Sequence, residues 1–198
     1  MNGERILQRA FFAGVLFLLS QILYAQNLLQ YVQPLSGTAP STTPAALKHS
    51  EAGSEANANT IPSVTVPFAM TQFTAQTRQT ENKCIPPYFY KDSLFSGIRA
   101  THWLSGSCTQ DYGSFTVMPV AGKLKTSAND YSILFKHADE ITTPAYYKLQ
   151  LAKVIAEVTA TARCGVMRFT MLQDDSLYLL ITPNTDYGTC VEIGRAHV

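Results

Sequence analysis

No two of the four cysteines, Cys84, Cys108, Cys164 and Cys190, form a Cys-x-x-Cys pair, which argues against a zinc site. Neither charge is in excess, with 15 Lys and Arg against 14 Asp and Glu. A chain so balanced lacks the basic field that nucleic acid or an anionic membrane surface requires. Long apolar runs are missing as well. "AFFAGVLFLL", residues 10–19, is about half the ~20 residues of a membrane span. No internal repeat is present. Four cysteines are also too few for a disulfide scaffold in a chain of 198 residues, although export would permit a bridge such as Cys84–Cys108.

What is there begins with a targeting segment. Residues 1–25 have a short basic start (Arg5, Arg9), the apolar run, and "ILYAQ" with Ala25 as a small residue before a cut. This is the three-part layout of a secretory signal. An uncleaved anchor is the alternative, weakened by Gln21. The expectation is an exported protein, periplasmic, cell-surface or secreted, with no stable membrane span once the signal is removed. Residues 26–191 suffice for one domain with a real core. The tail "EIGRAHV", residues 192–198, carries no strand or helix logic and reads as a translated sequencing adapter, leaving Arg195 and His197 without a role.

Residues 30–73 are dense in Pro, Ser, Thr, Ala, Gly and Asn. They form either a disordered linker or a long loop tethered at both ends, and the second kind is more often functional. "SVTVPFAMTQF" closes the stretch with strand-like alternation. Strand signals then recur about every ten residues: "SFTVMPV", "YSILF", "YYKLQL", "VIAEVTATA", "VMRFTML" and "SLYLLIT". "ADEITTPA" and "QDD" read as turns between them, and "TPAYYKLQLAKVIAE" is ambiguous between helix and strand. Val154, Ala156, Val158 and Ala160 alternate with Glu157, Thr159, Thr161 and Arg163, as in an antiparallel sheet with one buried face. The fold class is all-β, an antiparallel β-sandwich.

"RATHWLSGSCTQDYGSFTVMP", residues 99–119, gathers His102, Trp103, Cys108, Asp111 and Tyr112 among small residues. Small residues let a backbone approach a ligand that aromatic and polar side chains grip. With "YVQPLSGTA", "TVPFAMTQF", "FKHADEITTPAYYKLQL" and "VTATARCGVMRFTM", this block makes five motifs in order over residues 31–191. In that order they resemble the N-terminal domain of the family-92 glycoside hydrolases, exo-acting α-mannosidases. Ala69 stands where that family usually has glycine and Ser36 where an apolar residue is common; "IRA", residues 98–100, lacks the usual Phe-Ser-His. The 39–60 loop also differs from the commoner glycine-rich version. These departures mark a subgroup.

The resemblance implies a β-sandwich packed, in the whole enzyme, on a C-terminal (α/α)6 helical barrel that is absent here. It implies hydrolysis of terminal α-mannosides of glycans with inversion, with calcium in the full-length parent and no calcium ligand in this chain. Inverting chemistry uses two carboxyl groups about 6.5–9.5 Å apart. Asp174–Asp175 and Asp139–Glu140 read as solvated charge, so no catalytic residue and no metal ligand is assigned. The share expected of this chain is substrate binding. Trp103 either presents its indole to a sugar ring or fills the core. His102 either meets a sugar hydroxyl or holds a loop carbonyl. Asp111 either accepts from a mannose diol or caps the following Tyr-Gly turn. Gly106 permits close backbone approach, and His49 and Glu55 in the long loop are further candidates. His137 fits a loop or interdomain contact better than a ligand. The expected partners are thus a mannose-containing glycan and the missing catalytic domain. The alternative is a non-catalytic β-sandwich carbohydrate-binding or interaction module; a structural surface domain fits the composition but explains none of the motifs.

Overall fold

The computed structural model describes residues 28–49, 60–78, 86–103 and 114–183, with scattered positions among the first fourteen. The chain divides into two compact units, Met1–Gln33 and Pro34–Val198. In the first, the described positions up to Gly14 are helical and a 3₁₀ turn spans Leu28–Tyr31. Among the described residues no helix is long and apolar enough to cross a membrane. The tail from 192 onward, Cys84, Cys108 and Cys190 lie outside the described residues, while Cys164 is an exposed free thiol.

The second unit is the expected antiparallel β-sandwich. Its strands are β1 (Phe73–Gln76), β2 (Leu94–Phe95), β3 (Gly97–Ala100), β4 (Phe115–Ala121), β5 (Ile133–Leu134), β6 (Glu140–Thr143), β7 (Tyr146–Gln150), β8 (Val154–Ala160), β9 (Gly165–Met171) and β10 (Leu177–Pro183). One four-stranded sheet runs β1-β3-β4-β10, a second is the meander β6-β7-β8-β9, and β2 pairs with β5. β10 returns after the meander to pair with β4, from Leu177 opposite Ala121 to Pro183 opposite Phe115. β8 packs across β1 and β4. Its alternation holds: Val154, Ala156, Val158 and Ala160 are all buried, and Tyr147 and Leu149 of β7 are buried with them.

Three segments depart from expectation. "ADEITTPA" is not a turn alone, because Glu140–Thr143 pairs with β7 and only Pro144–Ala145 turn. The β-branched run Ile141-Thr142-Thr143 supplies the strand preference. "TVPFAMTQF" is mostly turn rather than strand. The Ala69 N–H donates to the Val66 carbonyl at 3.1 Å, with Pro67 and Phe68 at the corners. Phe68 has φ 58°, in the left-handed region where a turn of this kind usually takes glycine. Lastly, the long N-terminal loop contains a six-residue helix, Pro44–His49. Proline suits the first helical position, and Ala, Leu and Lys favour the helical conformation after it.

On the outer face of the meander, Lys148, Glu157 and Arg168 stand in register on three strands. Arg168 grips Glu157 with two donors, Nε at 2.6 Å and Nη2 at 2.7 Å, and the Tyr146 hydroxyl donates to the same carboxylate. The Arg168 bonds, then the Tyr146 bond, hold the Glu157 carboxyl at about 2, below its ordinary 4.5. A carboxylate with a depressed folded-state pKa stabilises above its unfolded value and loses that contribution as protons bind. Wild type is therefore expected to melt above Glu157→Gln at neutral pH, with the gap closing as pH falls from about 4.5 towards 2. Melting curves of both chains across that window check this.

Candidate functional site

Three chain segments meet at one end of the sandwich. The turn at Pro67–Phe68 is tied down at its base: the Met70 N–H donates to the Ala162 carbonyl at 2.8 Å and the Thr71 hydroxyl to the Thr161 carbonyl at 2.7 Å. The β8–β9 turn is closed by the Thr161 N–H donating to the Cys164 carbonyl at 2.8 Å, which carries Arg163. The chain leaving β3 is fixed by the Thr101 N–H donating to the Gln72 carbonyl at 3.0 Å, which places His102 at the surface. Gly165 makes the meeting possible, since a Cβ there would lie 2.2 Å from the Phe73 ring.

Together they enclose a groove of about 520 Å³. Its rim is polar, with exposed His102 and Arg163 and half-buried Thr71 and Gln72; a buried Thr101 and the apolar Phe73, Ala100, Val117 and Met167 line the rest, with Met70 and Phe115 partly exposed at its edge. Phe68 and Met70 project into solvent from the clamped turn, Phe68 fully exposed. A concave apolar floor with a few polar groups at its edge suits a small ligand. Among the described residues no carboxylate lines the groove, so these residues can hold and orient a ligand but do not supply the two carboxyl groups of inverting hydrolysis.

Of the residues singled out in the sequence, His102 stands on this rim. Trp103, one position on, does not line the groove: it is 6% exposed and belongs to the hydrophobic core. Its backbone N–H donates to the Thr101 hydroxyl at 3.0 Å, but its indole Nε1 is buried without a partner among the described residues. Gly106 and Asp111 fall in 104–113 and Glu55 in 50–59, outside the described residues. His49 closes the helix Pro44–His49, and only its backbone is described.

A second cluster escaped the sequence. Glu140 is not solvated charge: its side chain has no exposed surface. It accepts from the Tyr88 hydroxyl at 3.0 Å and the Tyr147 hydroxyl at 2.7 Å, and lies 2.9 Å from His137 Nδ1. The His137 ring stacks on Tyr90 at 3.9 Å, and its Nε2 meets the Tyr90 carbonyl. Burial, then the charge of Glu140, push both the Tyr88 and Tyr147 phenols well above their ordinary range, so each remains a donor. His137 is thus a loop contact within this chain. The sequence signal was the "HADE" spacing followed by Tyr-Tyr; Tyr88, 52 residues from Glu140, gave none.

Asp175 pairs with Lys153 at 2.9 Å, as a surface charge would. Calcium takes six to eight oxygen ligands. Among the described residues no three His, Cys, Asp or Glu side chains are grouped so that they could hold a metal ion.

The model of the glycosyl hydrolase family 92 N-terminal domain matches residues 31–197. Among solved structures, the chain is similar to the family GH92 inverting mannosidase BT2199 from Bacteroides thetaiotaomicron VPI-5482. They are 31% identical with a TM-score of 0.64, over 77% of this chain and 19% of that one. It is also similar to the family GH92 alpha-mannosidase BT3965 from Bacteroides thetaiotaomicron, 28% identical with a TM-score of 0.63 over 78% of this chain and 20% of that one. The chain therefore spans about a fifth of the length of these enzymes. No curated protein matches it.

Proposed function

The chain belongs to glycosyl hydrolase family 92, carrying its N-terminal domain, and on that premise we propose that it is part of a longer, exported exo-α-mannosidase. The parent enzyme removes terminal mannose from glycans with inversion and uses calcium held outside this chain. The observation that carries the proposal is the family match over residues 31–197. The groove supports it, because a rim of His102, Arg163 and Gln72 over an apolar floor suits a polar ligand with a C–H face.

The division of labour follows from the residues. This chain contributes recognition: His102 exchanges a hydrogen bond with a sugar hydroxyl, and Trp103 backs the wall from the core. Asp111, Gly106, His49 and Glu55 remain candidates for the same recognition role on the strength of the family resemblance alone. The carboxylates of the chemistry come from the remaining four-fifths of the enzyme. In the intact protein His102→Ala should lower kcat/KM roughly tenfold, about 1.4 kcal/mol of transition-state binding. Because His102 is exposed, the melting temperature should hardly move. Unchanged kinetics on an α-mannoside would remove His102 from the wall.

A further inference from the structure

The two long edge strands leave their inner faces uncovered. Residues opposite one another in a sheet share a face. Ile181 stands opposite Val117 and Leu179 opposite Pro119, so both lie on the side of the sheet that Val117 gives to the groove. Yet Leu179 is 53% and Ile181 65% exposed. Across the gap, Met167, Phe169 and Met171 of β9 face inward with Val158, Ala156 and Val154, and all three are only half-buried. Along this flank the sandwich is open.

The edge itself is also bare. β10, "LYLLITP", has seven residues and no charge, and among the described residues it pairs only with β4. Natural edge strands are normally blunted with charges, bulges or early proline. Here the only such device is Pro183, at the end. An uncharged apolar edge calls for a partner, and its alternate outward N–H and C=O groups specify which kind. A helix would cover the side chains but leave those backbone groups unpaired. A strand satisfies both.

We propose that in the intact protein a further β-strand, donated by the polypeptide that follows residue 191 in the source gene, pairs with the outer edge of β10. Its apolar face covers Leu179 and Ile181 and closes the groove on that side, leaving the His102 rim open. Length points to the source of the strand, since the enzymes this chain resembles are about five times as long. The inference relies on the family reading only for the existence of that additional chain.

Amide exchange followed by NMR tests it, on the 198-residue chain and on the intact protein expressed from the source gene, with native sequence in place of the adapter-like tail from residue 192. The β10 amides pointing away from β4 should exchange roughly a hundredfold slower in the intact protein. The paired substitution Leu179→Lys with Ile181→Lys should leave the 198-residue chain folded and more soluble, while lowering the melting temperature of the intact protein by about 10 °C or more. Fast exchange in both proteins overturns the proposal, as does slow exchange in both, which would mean the edge is already paired within this chain. A concentration-dependent slowing in the short chain with none in the intact protein assigns the edge to a second copy and also overturns it. So does a source gene that ends after residue 191. An intact protein without mannosidase activity refutes the function proposed above and leaves both readouts standing.

Discussion

Replacing Glu140 by alanine is expected to cost about 3–5 kcal/mol of stability. The variant strands two tyrosine hydroxyls and a histidine nitrogen that all turn toward one carboxylate. Tyr147 has no exposed surface, so no water can replace the lost acceptor without a cavity opening beside it. Since a domain of this size holds only about 5–15 kcal/mol in all, much of the population should unfold near body temperature. Glu140→Gln keeps the shape and one acceptor and should recover about half of the loss. Urea unfolding of the three chains decides the matter. An unfolding free energy for Glu140→Ala within ~1 kcal/mol of wild type would mean that the network is ornamental.

Trp103→Ala is expected to be comparably severe, about 3–5 kcal/mol, because the ring lies in the main hydrophobic cluster. Trp103→Phe separates packing from hydrogen bonding. It removes an indole N–H that is buried without an acceptor among the described residues, and so loses area but none of the described bonds. Its cost should stay below ~1.5 kcal/mol. The opposite pattern would place the ring against a sugar. Trp103→Ala would then melt within a few degrees of wild type while the intact enzyme lost mannoside affinity.

Local alternation made most of this fold legible. Val154 to Ala160 declared a half-buried strand because period two is a property of the strand itself. The groove was partly legible: "THW" advertised His102, which reaches the rim, and Trp103, which turns into the core. Adjacent side chains on an extended chain point to opposite sides, and only the packing of the other sheet tells which side is wet. Glu140 was misread for a related reason. An acidic residue beside Asp139 looks solvated until Tyr88 and Tyr147 arrive from distant segments to bury it. The turn at Phe68 was hidden because its left-handed position carries phenylalanine instead of the glycine that would have signalled it.

The proposed role, recognition within a larger mannosidase whose chemistry lies elsewhere in the polypeptide, separates the short chain from the intact protein. Following an α-mannoside by ¹H NMR with equal concentrations of the 198-residue chain and the intact protein, each with calcium, tests it most directly. No mannose is expected from the short chain, and from the intact protein mannose that appears first as the β anomer. Mannose released by the short chain, or none released by the intact protein, would contradict it.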